Sequence, residues 1–100
     1  LTRDIRLLAE RPEVEGVMIE DSYDTRGGHF SALKAWVFAR LLWNPTLDGR
    51  ALVEEFMRGY YGPAAPQMLA YYDALHESAK RHPCKVLAKT PPTAAYLDAA

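Results

Sequence analysis

The fold expected for this chain is decided by one apolar stretch, Val14-Glu15-Gly16-Val17-Met18-Ile19. No polar residue interrupts its centre at residues 17–19, which is typical of a strand covered on both faces in a parallel sheet. A lone strand cannot satisfy its own backbone hydrogen-bonding groups, so its neighbours are expected outside this chain. The sequence therefore predicts a strand at about residues 14–19.

The residues on either side of this strand predict a loop and two helices. Residues 1–11 form an expected helix that Pro12 ends, and residues 20–29 form a polar loop with two glycines. A second helix is predicted at about residues 30–43, and its apolar surface is so broad that we expect burial on most sides. One apolar stripe consists of Phe30, Leu33, Val37 and Leu41, and it is widened by Trp36, Ala39 and Trp43. Strand, loop and buried helix together make a βα unit.

Two further amphipathic helices are predicted after this βα unit. Asp48 is a suitable N-cap for a helix at about residues 49–61, and Gly62 suits the position after its last turn. Another helix is expected at about residues 63–81. A connector and the start of one more helix follow, and the helical patterns interrupted at both ends indicate a truncated chain. We therefore expect three regions: 1–45, 46–83 and 84–100.

Composition and spacing argue against several classes of function. The net charge of −1, with basic residues spread singly, provides no field for nucleic acid or an anionic membrane. No apolar stretch is long enough to cross a bilayer, and the single cysteine, Cys84, cannot form an internal disulfide framework. His76, His82 and Cys84 lack the spacing of zinc ligands, and the loop after the strand lacks the pattern of a calcium site. No metal or cofactor is expected.

Two blocks of the sequence resemble the end of a known family. The first block, residues 33–45, ends in Leu41-Leu42-Trp43-Asn44-Pro45, and the second, residues 55–65, contains Tyr60-Tyr61-Gly62-Pro63-Ala64-Ala65. Together they resemble the C-terminal part of an uncharacterised "domain of unknown function" family of bacterial glycoside-hydrolase-like TIM barrels. They are also distantly similar to the end of α-glucuronidase-type barrels.

This resemblance implies a fold, partners and a location. The fold would be a mostly helical α/β fragment: the last βα unit of a (β/α)8 barrel followed by two or more amphipathic helices. The implied partners are the remaining barrel strands, upstream in the parent chain, and a carbohydrate bound by the parent protein. The family resemblance also suggests an exported bacterial protein, periplasmic or extracellular.

The polar loop after the predicted strand holds the candidate site residues. Substrate-binding and catalytic groups of a barrel lie at the C-terminal ends of its strands, so Glu20 and Asp21 are the first candidates for both roles. Glycoside hydrolysis needs two carboxyl groups, and adjacent strand residues point to opposite sides, so at most one of these acids faces the pocket. Tyr23 suits stacking on a sugar ring, while Asp24 and Arg26 suit either substrate binding or a surface ion pair. The alternatives are a solvated acid and a tyrosine at the rim.

Three functions are compatible with this sequence. The first is a fragment of a carbohydrate-active glycoside hydrolase, inactive alone because at most one acid of the catalytic pair is present. The second is a small helical protein-interaction module without enzymatic activity, and the third is a barrel that only binds glycans. Residues 17–19 discriminate between the first two, because pairing with strands outside the chain would exclude the module.

Overall fold

Helices make up most of the described part of the chain. A computed structural model describes residues 2–20 and 30–82, and 75% of these residues are helical. The helices are α1 (Thr2–Ala9), α2 (Ser31–Trp43), α3 (Gly49–Tyr61) and α4 (Ala65–Arg81), with a 3₁₀ turn at Gly62–Ala64. The chain divides into two compact units, Leu1–Phe56 and Met57–Ala100.

The predicted strand is wrong. Residues 14–20 have no regular secondary structure, and the described part of the chain contains no strand. Val17, Met18 and Ile19 are 39%, 89% and 37% exposed, whereas a strand inside a parallel sheet would be covered on both faces. The physical reason is that a strand exists only within a ladder, and no described segment provides one. The predicted fold class, the last βα unit of a (β/α)8 barrel, is therefore wrong; the described chain is helical.

The core of the first unit combines one row of α2 with buried residues of α1 and of α3, where Leu52, Val53 and Phe56 are buried. Leu33, Val37 and Leu41 are spaced four residues apart, so they share one helix face, and all three are buried. α1 packs against α2 and contributes the buried side chain of Ile5. The expectation that α2 is buried on most sides is wrong, because Trp43 is 92% exposed.

The turn between α2 and α3 is held by side chains. The side-chain oxygen of Asn44 accepts hydrogen bonds from the backbone N–H and the hydroxyl of Thr46, at 3.1 and 2.6 Å. From α1, the guanidinium of Arg6 donates to the carbonyl oxygens of Pro45 and Leu47, at 3.2 and 3.1 Å. The Trp-Asn-Pro block therefore stops a helix and turns the chain, and α1 ties down that turn.

Helix α3 begins as the sequence predicts. A carboxylate oxygen of Asp48 accepts a hydrogen bond from the backbone N–H of Ala51 at 3.3 Å, which is the geometry of an N-cap. Position 49 is a glycine because the backbone there approaches α1 so closely that a Cβ would overlap the side chain of Thr2.

The second unit contains the end of α3 and all of α4. Gly62 has φ of 54°, the left-handed conformation that its predicted position after a helix requires. A 3₁₀ turn occupies Gly62–Ala64, so α4 begins at Ala65, two residues after the predicted start. Its buried residues are Ala65 and Ser78, whereas Tyr72 is only half-buried.

Replacing Leu41 with alanine is expected to lower the free energy of unfolding by about 3 kcal/mol, because the fully buried side chain leaves a cavity. Leu42→Ala is the matched control, since Leu42 is 43% exposed and should lose less than about 1 kcal/mol. Urea denaturation followed by circular dichroism measures both. Equal losses would contradict the assignment of the buried row.

Replacing Asp48 with alanine is expected to cost about 1 kcal/mol, because one N–H at the start of α3 loses its acceptor. Asp48→Asn keeps an acceptor oxygen and should retain most of the stability. Thermal unfolding of the three proteins measures the difference. An asparagine variant as unstable as the alanine variant would count against the capping hydrogen bond.

Candidate functional site

Glu20 is the candidate site residue that the structure describes. It lines a cavity of about 360 Å³ between the segment before it and helix α2. The other residues around this cavity are Ile19, Lys34, Ala35, Phe38, Ala39 and Leu42. The remaining candidates of the loop, Asp21, Tyr23, Asp24 and Arg26, lie outside the described residues.

One row of α2 forms the wall of this cavity. Lys34, Phe38 and Leu42 are spaced four residues apart, so they lie on one face, next to the row that forms the core. Packing of the core row against α1 fixes the rotation of α2 and so determines which row faces Ile19 and Glu20. The packing of the core therefore determines which residues of α2 form the wall of the cavity.

The side chains around this cavity combine both charges with apolar surface. Neither the carboxylate of Glu20 nor the ammonium of Lys34 forms an ion pair with another described residue, and both side chains are exposed. An ionised carboxylate accepts hydrogen bonds, an ammonium donates them, and the half-buried Phe38 adds an aromatic side chain to the same cavity. Such a combination suits a small polar ligand with an apolar face.

A second cavity of about 280 Å³ lies on the other side of Leu42. It is mostly apolar, with Ile5, Leu8 and Val14 among its lining residues. Val17 lines this second cavity and Ile19 lines the first, whereas Met18 lines neither and is 89% exposed. Residues 15–20 therefore place Val17 and Ile19 beside α2 and present Met18 to solvent.

Charged and aromatic groups of α2 and α3 form a separate cluster in the first unit. The guanidinium carbon of Arg40 lies 5.1 Å from the ring centre of Trp36, and its nitrogen lies 3.9 Å from the carboxylate of Glu55. The rings of Trp36 and Phe56 are 5.8 Å apart, between centroids. These contacts give Trp36 a packing role, since its ring is held on two sides by protein groups.

Two histidines, His76 in α4 and His82 directly after it, bond to the backbone of α4. Nδ1–H of His76 donates to the carbonyl oxygen of Tyr72 at 2.8 Å, and Nδ1–H of His82 donates to that of Ser78 at 3.1 Å. Across residues 2–20 and 30–82, no three metal-ligating side chains come together. Within the same residues no helix has both the length and the apolar character needed to cross a membrane.

Comparison with known proteins identifies the family. Residues 1–73 match the family described as "Domain of unknown function (DUF4838)", and the chain belongs to this family. The predicted membership of an uncharacterised domain family is therefore confirmed. The description of this family states no activity. No curated protein and no solved structure matched the chain.

Lys34 and Phe38 were missed as site residues by the sequence analysis. Both belong to a helix that was expected to be buried on most sides, so neither was assigned to a pocket. A signal was nevertheless present, because Lys34 is one of only two charged residues on α2 and precedes Phe38 by one helical turn.

Replacing Trp36 with alanine is expected to lower the free energy of unfolding by about 2 kcal/mol or more, because its ring packs on Phe56 and Arg40. Trp43→Ala removes the same side chain from the same helix at a position 92% exposed, and should cost less than about 0.5 kcal/mol. Urea denaturation followed by far-ultraviolet circular dichroism compares them. A larger loss at Trp43 would overturn the packing role assigned to Trp36.

Proposed function

We propose that this chain is part of a carbohydrate-active protein related to glycoside hydrolases, in which Glu20 contacts a glycan. The observation that carries the proposal is the cavity shared by the carboxylate of Glu20, the ammonium of Lys34 and the ring of Phe38. The resemblance of residues 33–45 and 55–65 to carbohydrate-active proteins favours the same class of ligand.

A sugar matches the chemistry of this cavity. Its hydroxyl groups both donate and accept hydrogen bonds, so one can donate to Glu20 while another accepts from Lys34. Its C–H faces are apolar and can pack on Phe38 and the aliphatic residues beside it. The cavity, at about 360 Å³, lies within the range of small-molecule sites.

The chain alone is proposed to bind the glycan without hydrolysing it. Hydrolysis of a glycosidic bond uses two carboxyl groups that flank the bond, and Glu20 supplies one at most. Asp21, Tyr23, Asp24 and Arg26 stay predictions for the same site. Export to the periplasm or the outside of a bacterium is part of the same proposal and is supported by the resemblance alone.

Glu20→Gln tests this proposal, because it keeps the size of the side chain and removes its charge. The full chain is first screened on a glycan array, and the best-binding glycan is then titrated by calorimetry. We expect the variant to bind at least about tenfold more weakly, since a hydrogen bond to a charged group contributes roughly 1.5–3 kcal/mol.

The matched control is Glu15→Gln, the same change at a residue that does not line this cavity. Its affinity for the glycan should equal that of the unmodified chain. The proposal fails if no glycan binds, or if the two variants bind equally well.

A specific observation favours a second candidate function, the docking of another protein at residues 15–20, which differs from a helical module that binds through its helix faces. Val17, Met18 and Ile19 are consecutive, apolar and exposed, and residues 15–20 make no backbone hydrogen bond within the described chain. An extended segment with unpaired backbone groups and apolar side chains is a template for pairing with another strand.

A further inference from the structure

We infer that residues 15–20 dock an extended peptide strand whose apolar centre is flanked by basic residues. The inference rests on the protein-docking function proposed above for residues 15–20 and names its partner. The recognition mode is strand addition, in which backbone hydrogen bonds provide affinity and side chains provide specificity.

The backbone of this segment is available for pairing. The last backbone hydrogen bond before it runs from the N–H of Val14 to the carbonyl oxygen of Arg11, at 3.1 Å. From residue 15 to residue 20, no N–H or carbonyl group bonds to another described residue. A docked strand would supply hydrogen-bonding partners for these groups.

The side chains add an apolar contact to this backbone. Met18 is 89% exposed, and its neighbours Val17 and Ile19 are each more than one third exposed. A flexible thioether adapts to differently shaped partners, which suits a docking surface better than a rigid side chain does. Covering Met18 would also remove the largest exposed apolar side chain of the segment from water.

The charges of the segment select a basic partner. Glu15 and Glu20 flank the apolar centre, and no basic residue lies between Val14 and Glu20. The carboxylate of Glu13, just before them, already has Arg11 at 3.5 Å, so Glu15 and Glu20 are the acids left for a partner. Opposite charges across paired strands stabilise the pair, and like charges destabilise it.

The same charges disfavour a second copy of this chain as the partner. In an antiparallel pair of two copies that aligns residues 15–20 over their full length, Glu15 lies opposite Glu20 at both ends. In a parallel pair with the same register, Glu15 lies beside Glu15 of the other copy, and Glu20 lies beside Glu20. Either arrangement brings carboxylates together, so a partner with lysine or arginine at these positions is the complementary one.

Three synthetic peptides test the inference, each with the centre Val-Thr-Val-Thr and with Lys, Gln or Glu at both ends. The isotope-labelled full chain is titrated with each peptide by NMR, and amide hydrogen exchange is measured in the complexes. We expect the Lys peptide to bind about fivefold more tightly than the Gln peptide, with the Glu peptide weakest. Exchange should slow at residues 15–20.

Two pairs of variants separate charge from apolar contact. Glu15→Lys should weaken binding of the Lys peptide by about threefold or more, whereas Glu10→Lys, the same change outside the segment, should not. Met18→Gln should weaken binding of all three peptides, whereas Leu7→Gln, at another exposed apolar residue, should not.

The outcomes distinguish this inference from the function on which it rests. Equal affinity for the Lys and Gln peptides would overturn the basic partner and leave the docking function of residues 15–20 standing. No slowed exchange at residues 15–20 with any peptide would overturn both. A concentration-dependent dimer in sedimentation, abolished by Met18→Gln, would overturn the basic partner in favour of a second copy.

Discussion

The burial of one row of α2 against α1 is the interaction on which the first unit depends. Leu41 is fully buried in that row, and Ile5 of α1 lies in the same core. A helix face of this kind uses only every third or fourth residue, so the adjacent row of α2 is left for other contacts. That adjacent row carries Lys34 and Phe38, which line the cavity with Glu20. The core and the candidate site are therefore two faces of one helix.

The helices and residues 15–20 differ in whether their backbone hydrogen-bonding groups find partners within the described chain. A helix satisfies its own interior N–H and carbonyl groups, so α1 and α2 form from local sequence. An extended segment needs a neighbour for the same purpose, and within the described residues this segment has none. The side chains of Val17 and Ile19 line cavities beside α2. They position the segment next to this helix but provide no partner for its backbone hydrogen-bonding groups.

The helices could be predicted from the sequence because their signals are local. The spacing of the apolar residues, the cap at Asp48 and the left-handed Gly62 all act within one or two turns. The strand at residues 14–19 could not be judged in this way, because its pattern indicates an apolar extended segment but not whether a neighbour is present. Trp43 was misjudged for a related reason: periodicity identifies an apolar face without showing what covers it.

The candidate site was predictable in part, for the same physical reasons. Glu20 was a candidate because it directly follows the apolar run at residues 17–19, which was interpreted as the end of a barrel strand. Lys34 was missed because its proximity to Glu20 depends on how α2 is rotated against α1, which is a tertiary property. Glu20 lines the cavity and is also the last residue of the docking segment, residues 15–20. The proposed glycan and the proposed peptide would therefore both contact its carboxylate. Lys34 belongs only to the cavity and Glu15 only to the docking segment, and these two residues therefore separate the two functions.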